Sequence, residues 1–486
     1  MRIYLNVISI FFMLVASSQA EIYPSRGNTE VIYLGDMNVD FEVRMMLFRQ
    51  ARKSIDILSM SQTADEIGLP ILKSIRSAQI NHGVKVRIAY DQMISMMEGD
   101  LTNTSARIIS DPSLPCPGEV ICTGTIEKWL SGLDYNDLQH QKVTVIDAGT
   151  PSEVIIVGGR GYTDFNKDAA DSALLIRRIK PGIPYIGDDI IDNLERTWDF
   201  LNSISKPMHF EKPYKDNSRV LKTRGKRLAE KSKDRVDVLE IMSVLRRPAA
   251  EMAGKSLKGF QFHPEESQFL TNNLLENLNQ SKKDHSFKNR AELPNDNHSR
   301  IISDIEQFNG KVELSAYALG MTEDLRTALV NFVNRGNTLE FYTNGQESHK
   351  LLMMNGLPVF YTVEELKKIY DLTRGGRGKV ITYLLDAGKA KKLGENPFLH
   401  RKQVLLKNQS THIAYTGSDN FTWSAAKKND ESLARFDDRR MVKAFSQVTA
   451  SEIGAYTKIS EAEVNEMYHN RPLLYRCARS LIRASY

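Results

Sequence analysis

Along residues 51–91 the spacing of apolar positions changes twice. ARKSIDILSM (51–60) reads as a strand, ILKSIRSAQINHG (71–83) carries its apolar residues at helical spacing, and VKVRIAYD (84–91) reads as a strand again. The same order returns in GKVELSAYAL (310–319), EDLRTALVNFVNRG (323–336) and NTLEFYTN (337–344). Gly83 and Gly336 stand where a helix C-terminus calls for a left-handed residue. Strand–helix–strand order predicts βαβ units in a largely parallel sheet, so the pattern describes an α/β chain built from two related halves.

The N-terminus breaks this pattern. Arg2 precedes an apolar run from Leu5 to Ala16, and Ser18 and Ala20 are the small residues of a cleavage site. Residues 1–20 are therefore expected to be a signal peptide, with the mature chain starting at Glu21 and destined for a periplasmic or secreted location. Residues 21–205 and 301–455 form the two halves, and 456–486 a helical tail. Between the halves, residues 206–300 hold 20 Lys and Arg against 13 Asp and Glu, most densely in RVLKTRGKRLAEKSKDR (219–235). Only patches such as VDVLEIMSVL (236–245) have helical periodicity there, so this tract reads as a basic, partly helical connector. Its positive surface would suit anionic lipid headgroups or nucleic acid.

The composition excludes several classes. With 486 residues, 41% hydrophobic, and a net charge of +5, the chain is neither a disulfide scaffold nor a coiled coil nor a dedicated nucleic-acid packaging protein. Of three cysteines, Cys116 and Cys122 in CPGEVIC are candidates for a short disulfide loop in an oxidising compartment, leaving Cys477 as a thiol.

Ten histidines are present, and two are followed two residues later by lysine: His140-Gln141-Lys142 and His400-Arg401-Lys402. Each triplet opens a strand-like run, where residues i and i+2 face the same side. An apolar run ending in a small-residue turn follows each, VIIVGGRGYTD (154–164) and HIAYTGSDNFTW (412–423). Then comes an acid ahead of another strand: Asp171 and Glu431, each 31 residues after its histidine. Two imidazoles with two ammonium groups suit an anionic phosphodiester. One imidazole can attack phosphorus to give a phosphohistidine, and the other can protonate the leaving oxygen. The lysines hold the anion's charge without calling for a metal or cofactor.

In these residues the chain resembles the phospholipase D superfamily, whose motif is His-x-Lys, four residues, Asp, then a Gly-Gly or Gly-Ser turn, often with Asn two residues on. The first copy has His140, Lys142, Asp147, Gly158 and Gly159, with Gly161 at the Asn position. The second has His400, Lys402, Gly417, Ser418 and Asn420, with Lys407 at the Asp position. The resemblance implies two α/β/α sandwich halves with mixed sheets and one active site at their interface, complete in a monomer. It implies catalytic His140, Lys142, His400, Lys402 and Asn420, with Asp171 and Glu431 reaching the two Nδ1 atoms. Ser418, Asn420 and the Gly158–Gly159 amides are expected to donate to phosphoryl oxygens. Asp147, at odd spacing from His140, is expected to point away and act structurally. The GGRGYTD phrase resembles bacterial cardiolipin-synthase-like members, which favours a phospholipid substrate at a membrane surface. MNGLPVFY (354–361) and Phe421–Trp423 are candidates for its apolar rim. Nucleic acid is the alternative substrate, and a non-catalytic phospholipid-binding protein the third possibility.

Overall fold

The computed structural model describes residues 28–35, 37–60, 62–65, 67–91, 100–123, 128, 130, 133, 138–162, 169–205, 207–214, 259–262, 266–283, 295–346 and 357–471. The expected signal peptide, the 219–245 segment, residues 354–356 and Cys477 lie outside these. Among the described residues no helix is long and apolar enough to cross a membrane.

The first half contributes β1 (Thr29–Leu34), β2 (Ser54–Ser59), β3 (Lys85–Asp91), β4 (Glu119–Thr123), β5 (Val143–Ile146), β6 (Val154–Gly158), the two-residue β7 (Ala169–Ala170) and β8 (Ala173–Arg178). With β9 (Gly259–Phe262), all but β7 form an eight-stranded sheet in the order β4-β3-β2-β5-β6-β8-β1-β9. A second eight-stranded sheet runs β10-β17-β16-β15-β11-β12-β13-β18. Its members are β10 (Ser267–Thr271), β11 (Lys311–Ser315), β12 (Thr338–Asn344), β13 (Lys379–Leu385), β15 (Gln403–Lys407), β16 (His412–Gly417), β17 (Ser432–Asp437) and β18 (Tyr456–Ile459). The short β14 (Phe398–Leu399) pairs with β7 instead.

Both sheets are mixed, and the chain has the α/β architecture of two related halves. Within the two eight-stranded sheets, parallel pairing is confined to the βαβ units, β2-β3-β4 and β11-β12-β13. The other pairs within each sheet are antiparallel; β5-β6 and β15-β16 are consecutive strands joined by short turns, whereas pairs such as β2-β5 and β11-β15 bring together strands far apart in the chain. The helix Gly68–His82 ends at Gly83 with φ +63°, and Gly336 has φ +102°, as the helix-stop positions require.

The 206–300 tract is more than a connector. Its β9 and β10 extend one sheet each, and Leu274, Leu275 and Leu278 of the helix Leu274–Lys283 are buried in the core. Likewise β18, expected in a helical tail, completes the second sheet before the helix Glu461–His469.

Strands such as VTVI and VIIVG are buried along their whole length, since both sheet faces are covered. One core lies between the first sheet and the helices Met37–Gln50, Gly68–His82 and Asp100–Ile109. The matching outer core covers the second sheet with the helices Glu323–Asn334 and Leu357–Thr373. Between them, Val157 and Leu174 of the first half share a core with Leu405, Ala434 and Phe436 of the second. Trp198 and Leu201 of the helix Ile186–Ile204, and Met441 and Phe445 of Arg439–Ser451, fill it from both halves. At about 1.5–3 kcal/mol per buried large apolar side chain, this shared core welds the halves together.

Cys116 and Cys122 are not bridged. The segment straightens into β4, where Cys122 pairs with Tyr90 of β3. An extended chain rising about 3.3 Å per residue carries the two thiols apart.

Candidate active site

Two short parallel pairings between the halves build the site. Phe398 and Leu399 pair with Ala169 and Ala170, and the His400 amide donates to the Ala170 carbonyl at 2.9 Å. Gln139 bridges Asp430, and the His140 amide donates to the Asp430 carbonyl at 3.0 Å. In a parallel pair the next residues also become neighbours. His400 therefore meets Asp171, and His140 meets Glu431, each across the boundary between halves. His400 Nδ1 lies 2.6 Å from Asp171 Oδ2, and His140 Nδ1 lies 2.8 Å from both oxygens of Glu431. Neither half can hold its own imidazole, and the equal 31-residue spacing lets both pairings form at once.

The small-residue turns serve the acids rather than a phosphate. Gly158 donates its amide to the Lys142 carbonyl and Gly159 to that of Ser172, so the expected amide donors are used within the sheet. A Cβ on Gly159 would overlap Asp171 Oδ1, and one on Gly417 would overlap the Ser432 carbonyl. Glycine is thus required where strand and acid come closest. Ser418, expected to donate to phosphate, gives its hydroxyl to Glu431 Oε2 at 2.5 Å and its amide to Ser432. Its role is to orient Glu431. The halves solve one problem with two pairs, a serine with the longer Glu431 and a glycine with the shorter Asp171.

The lysines sit as the i, i+2 spacing predicts. Lys142 Nζ donates to the His140 carbonyl at 2.7 Å, and Lys402 Nζ to the His400 carbonyl at 2.6 Å and within 2.9 Å of its ring nitrogens. All four side chains are buried, and each feels the others' charge. Burial brings Lys142 down to about 7 and Lys402 to about 8, the latter opposed by Asp171 and Glu431. Burial and the Lys402 charge bring His400 down to about 4, and burial with Lys142, Lys402 and His400 pushes His140 well below the usual imidazole range. Burial alone would raise Asp171, but Lys402 and His400 outweigh it and hold the carboxylate at about 2. Glu431 goes the other way, raised by burial and the nearby Asp419. Both imidazoles are therefore neutral near pH 7 without substrate, one beside a carboxylate held in its ionised form and the other beside an acid whose proton affinity burial raises. A phosphodiester's negative charge is what would let one of them protonate.

Asp147 takes the structural role expected of it. Past the far end of β5, at φ +54°, its carboxylate accepts from the backbone amides of Arg52, Lys53 and Ser54. Lys407, its counterpart, forms an ion pair with Glu313, and Asn408 takes over the turn by bonding Asn309, Ser410 and Thr411. Gly161 is buried, without a side-chain amide to offer. Asn420 stands in the Ser418–Phe421 turn, its Oδ1 buried with no hydrogen-bond partner among the described residues. Phe421 has φ +56° and is fully buried, so it belongs to the core rather than to an apolar rim; Trp423 is 36% exposed.

Several site residues escaped sequence reasoning. Arg160, fully buried, donates to the Asp171 carbonyl at 2.6 Å and to Asp40 at 2.9 Å, fixing the strand that carries the acid. Its signal was its place inside GGRG. Gln141 and Gln403 join the halves through Asn193, Asn273 and Ser172. Asp419 accepts from the Phe421 amide and faces His298 at 3.2 Å, a partner 121 residues away that no local pattern reveals. Phe398 and Tyr317 place their rings 6.1 Å from His400. Among the described residues no group of three or more His, Cys, Asp or Glu side chains is arranged to hold a metal ion.

Comparison with known proteins bears on the family and the fold. Residues 301–452 match the family described as "Cardiolipin synthase, PLD-like domain". A comparison with curated proteins finds no match. The fold is that of the phosphatidylserine synthase of Haemophilus influenzae Rd KW20, at 14% identity and a TM-score of 0.59 over 93% of this chain and 94% of that one. Nuc of Salmonella typhimurium, a phospholipase D family member, aligns at 14% identity over 40% of this chain and 97% of that one, TM-score 0.26. Yeast tyrosyl-DNA phosphodiesterase aligns at 12% identity over 81% and 84%, TM-score 0.42.

Proposed function

We propose that the chain is a member of the phospholipase D superfamily and acts as an exported phosphodiesterase or phosphatidyl transferase on phospholipid headgroups. The observation that carries the chemistry is the crosswise pair, in which each imidazole is anchored at Nδ1 by the other half's acid. Such anchoring turns both Nε2 atoms to a common task. One imidazole attacks phosphorus, an N–P bond forms, and the P–O bond to the leaving alcohol breaks. The other imidazole, protonated under the influence of the bound anion, gives that proton to the leaving oxygen. Water or an acceptor alcohol then attacks phosphorus, the N–P bond breaks, and the proton returns to the second imidazole. Lys142 and Lys402 neutralise the equatorial oxygens. With the glycine amides and Ser418 otherwise engaged, the Nδ2 amide of the half-buried Asn420 is the group of the turn assigned to donate to a phosphoryl oxygen, since its buried Oδ1 can only accept.

The lipid substrate is supported by the cardiolipin-synthase description of the matching family and by the fold shared with a phosphatidylserine synthase. The test offers the purified protein, with EDTA, phosphatidylglycerol vesicles and, separately, single- and double-stranded DNA, alongside His140→Ala and His400→Ala. Lipid turnover lost in both variants is the expected result, and the products distinguish hydrolysis from transfer. DNA cleavage without lipid turnover would replace the lipid reading with a nuclease. Wild-type rates in both variants would refute the site. Export is tested by sequencing the N-terminus of secreted or periplasmic protein, expected at Glu21.

A further inference from the structure

We propose that the surface formed by the helix Ala387–Leu393 and the Ile453–Lys458 segment is where the protein docks on an anionic phospholipid bilayer. The helix leaves the end of β13, its amides capped by Asp386, and closes at Gly394 in the left-handed conformation. Lys389, Lys391 and Lys392 are exposed along it. At its tip Leu393 is 58% exposed, and beside it Ile453 is 41% exposed. The two belong to one patch, since Leu393 Cδ1 lies 3.2 Å from where a Cβ on Gly454 would stand. Lys458 of β18 is exposed nearby, and Lys389 Nζ bonds Thr457 at 2.8 Å, tying the helix to that strand.

Large aliphatic tips ringed by lysines suit a headgroup layer, with apolar side chains entering the interface and ammonium groups meeting the phosphates. The local acids do not cancel this charge. Asp386 is committed to the helix cap and Glu452 to Arg401 at 2.6 Å, which leaves the half-buried Glu395 against Lys389, Lys391, Lys392 and Lys458.

The patch is tied to the site at both ends. Six residues after Leu393 the chain reaches Leu399, which Asn344 at the end of β12 holds by both its amide and its carbonyl, and His400 is next. Ile453 adjoins Glu452, the partner of the residue that follows His400. Docking here would bring a headgroup to the end of the second sheet at which β11, β12 and β13 finish and His400 stands ahead of β15. The inference rests on the lipid reading above, because a soluble substrate would need no such surface.

The test compares full-length wild type with Lys391→Gln/Lys392→Gln and with Leu393→Ser. Sedimentation with phosphatidylglycerol–phosphatidylcholine vesicles and with pure phosphatidylcholine vesicles measures binding. Turnover is followed on vesicles and on short-chain phosphatidylglycerol below its micelle concentration, and thermal melting checks folding. Wild type should prefer the anionic vesicles. The double lysine variant should bind about 30-fold more weakly at low salt, and Leu393→Ser about 10-fold. Both should melt with wild type and turn over monomeric lipid within about two-fold of it. Equal vesicle binding by all three proteins, or no wild-type preference for anionic vesicles, would overturn the docking surface. Patch-dependent binding without lipid turnover would leave docking standing and remove the lipid reading of the reaction.

Discussion

Replacing Asp147 separates a structural role from a catalytic one at a motif position. Its Oδ1 accepts from the amides of Arg52, Lys53 and Ser54 at 2.9, 2.6 and 3.2 Å, and Oδ2 lies 3.1 Å from the first. Hydrogen bonds to a charged acceptor contribute about 1.5–3 kcal/mol each, less where water can replace them. In Asp147→Ala, the two shortest bonds account for about 3 kcal/mol, and an alanine at φ +54° adds about 1 kcal/mol. Asp147→Asn keeps an acceptor and tolerates the left-handed backbone, so it should cost about 1–1.5 kcal/mol. At about 1 °C per kcal/mol for a cooperative unit of this size these become drops in melting temperature of about 4 °C and about 1–1.5 °C. Differential scanning fluorimetry reads the shifts, and turnover at a temperature where all three proteins are folded should stay within about two-fold of wild type. A selective loss of turnover with unchanged melting would refute the structural assignment.

Other outcomes follow from the same contacts. Gly159→Ala should displace Asp171 from His400, because the new methyl overlaps the carboxylate; turnover should fall at least about 100-fold, and an unchanged rate would contradict the crowding. Ser418→Ala removes the 2.5 Å donor to Glu431 and should lower turnover about 10-fold without loss of folding, while activity at wild-type level would show that Glu431 needs no orientation. Binding of dimethyl phosphate, whose charge is constant across the range, should take up protons, because the anion favours the charged forms of Lys142 and Lys402, depressed to about 7 and 8 when the site is empty. Affinity should accordingly rise as pH falls from 9 to 6.5, and calorimetry in buffers of different ionisation enthalpy would expose an absence of uptake.

The duplicated strand–helix–strand order, the helix-stop glycines and the two His-x-Lys triplets with their equidistant acids were all legible locally. They depend on short-range periodicity and on residue types that carry chemistry, so β2, β3, β11 and β12 and all the principal site residues could be marked in advance. The odd spacing of Asp147 led to the expectation that it faces away, but what turns it aside is a left-handed backbone just past β5 rather than strand alternation.

What the chain alone left open was decided by contacts between distant segments. Which acid serves which histidine depends on β7 meeting β14 and Gln139 meeting Asp430, pairings that span 229 and 291 residues. The glycine amides were free donors until the sheet register occupied them. Ser418 became an orienting group only because Glu431 approaches its hydroxyl, and Phe421 became core because the turn folds it inward. The antiparallel pairs, and the edge strands drawn from the basic tract, likewise came from the topology of the assembled sheets. Sequence determined which groups are available for phosphoryl chemistry; the tertiary structure decided which remain free to perform it, because a buried donor or acid bonds to whatever the fold brings beside it.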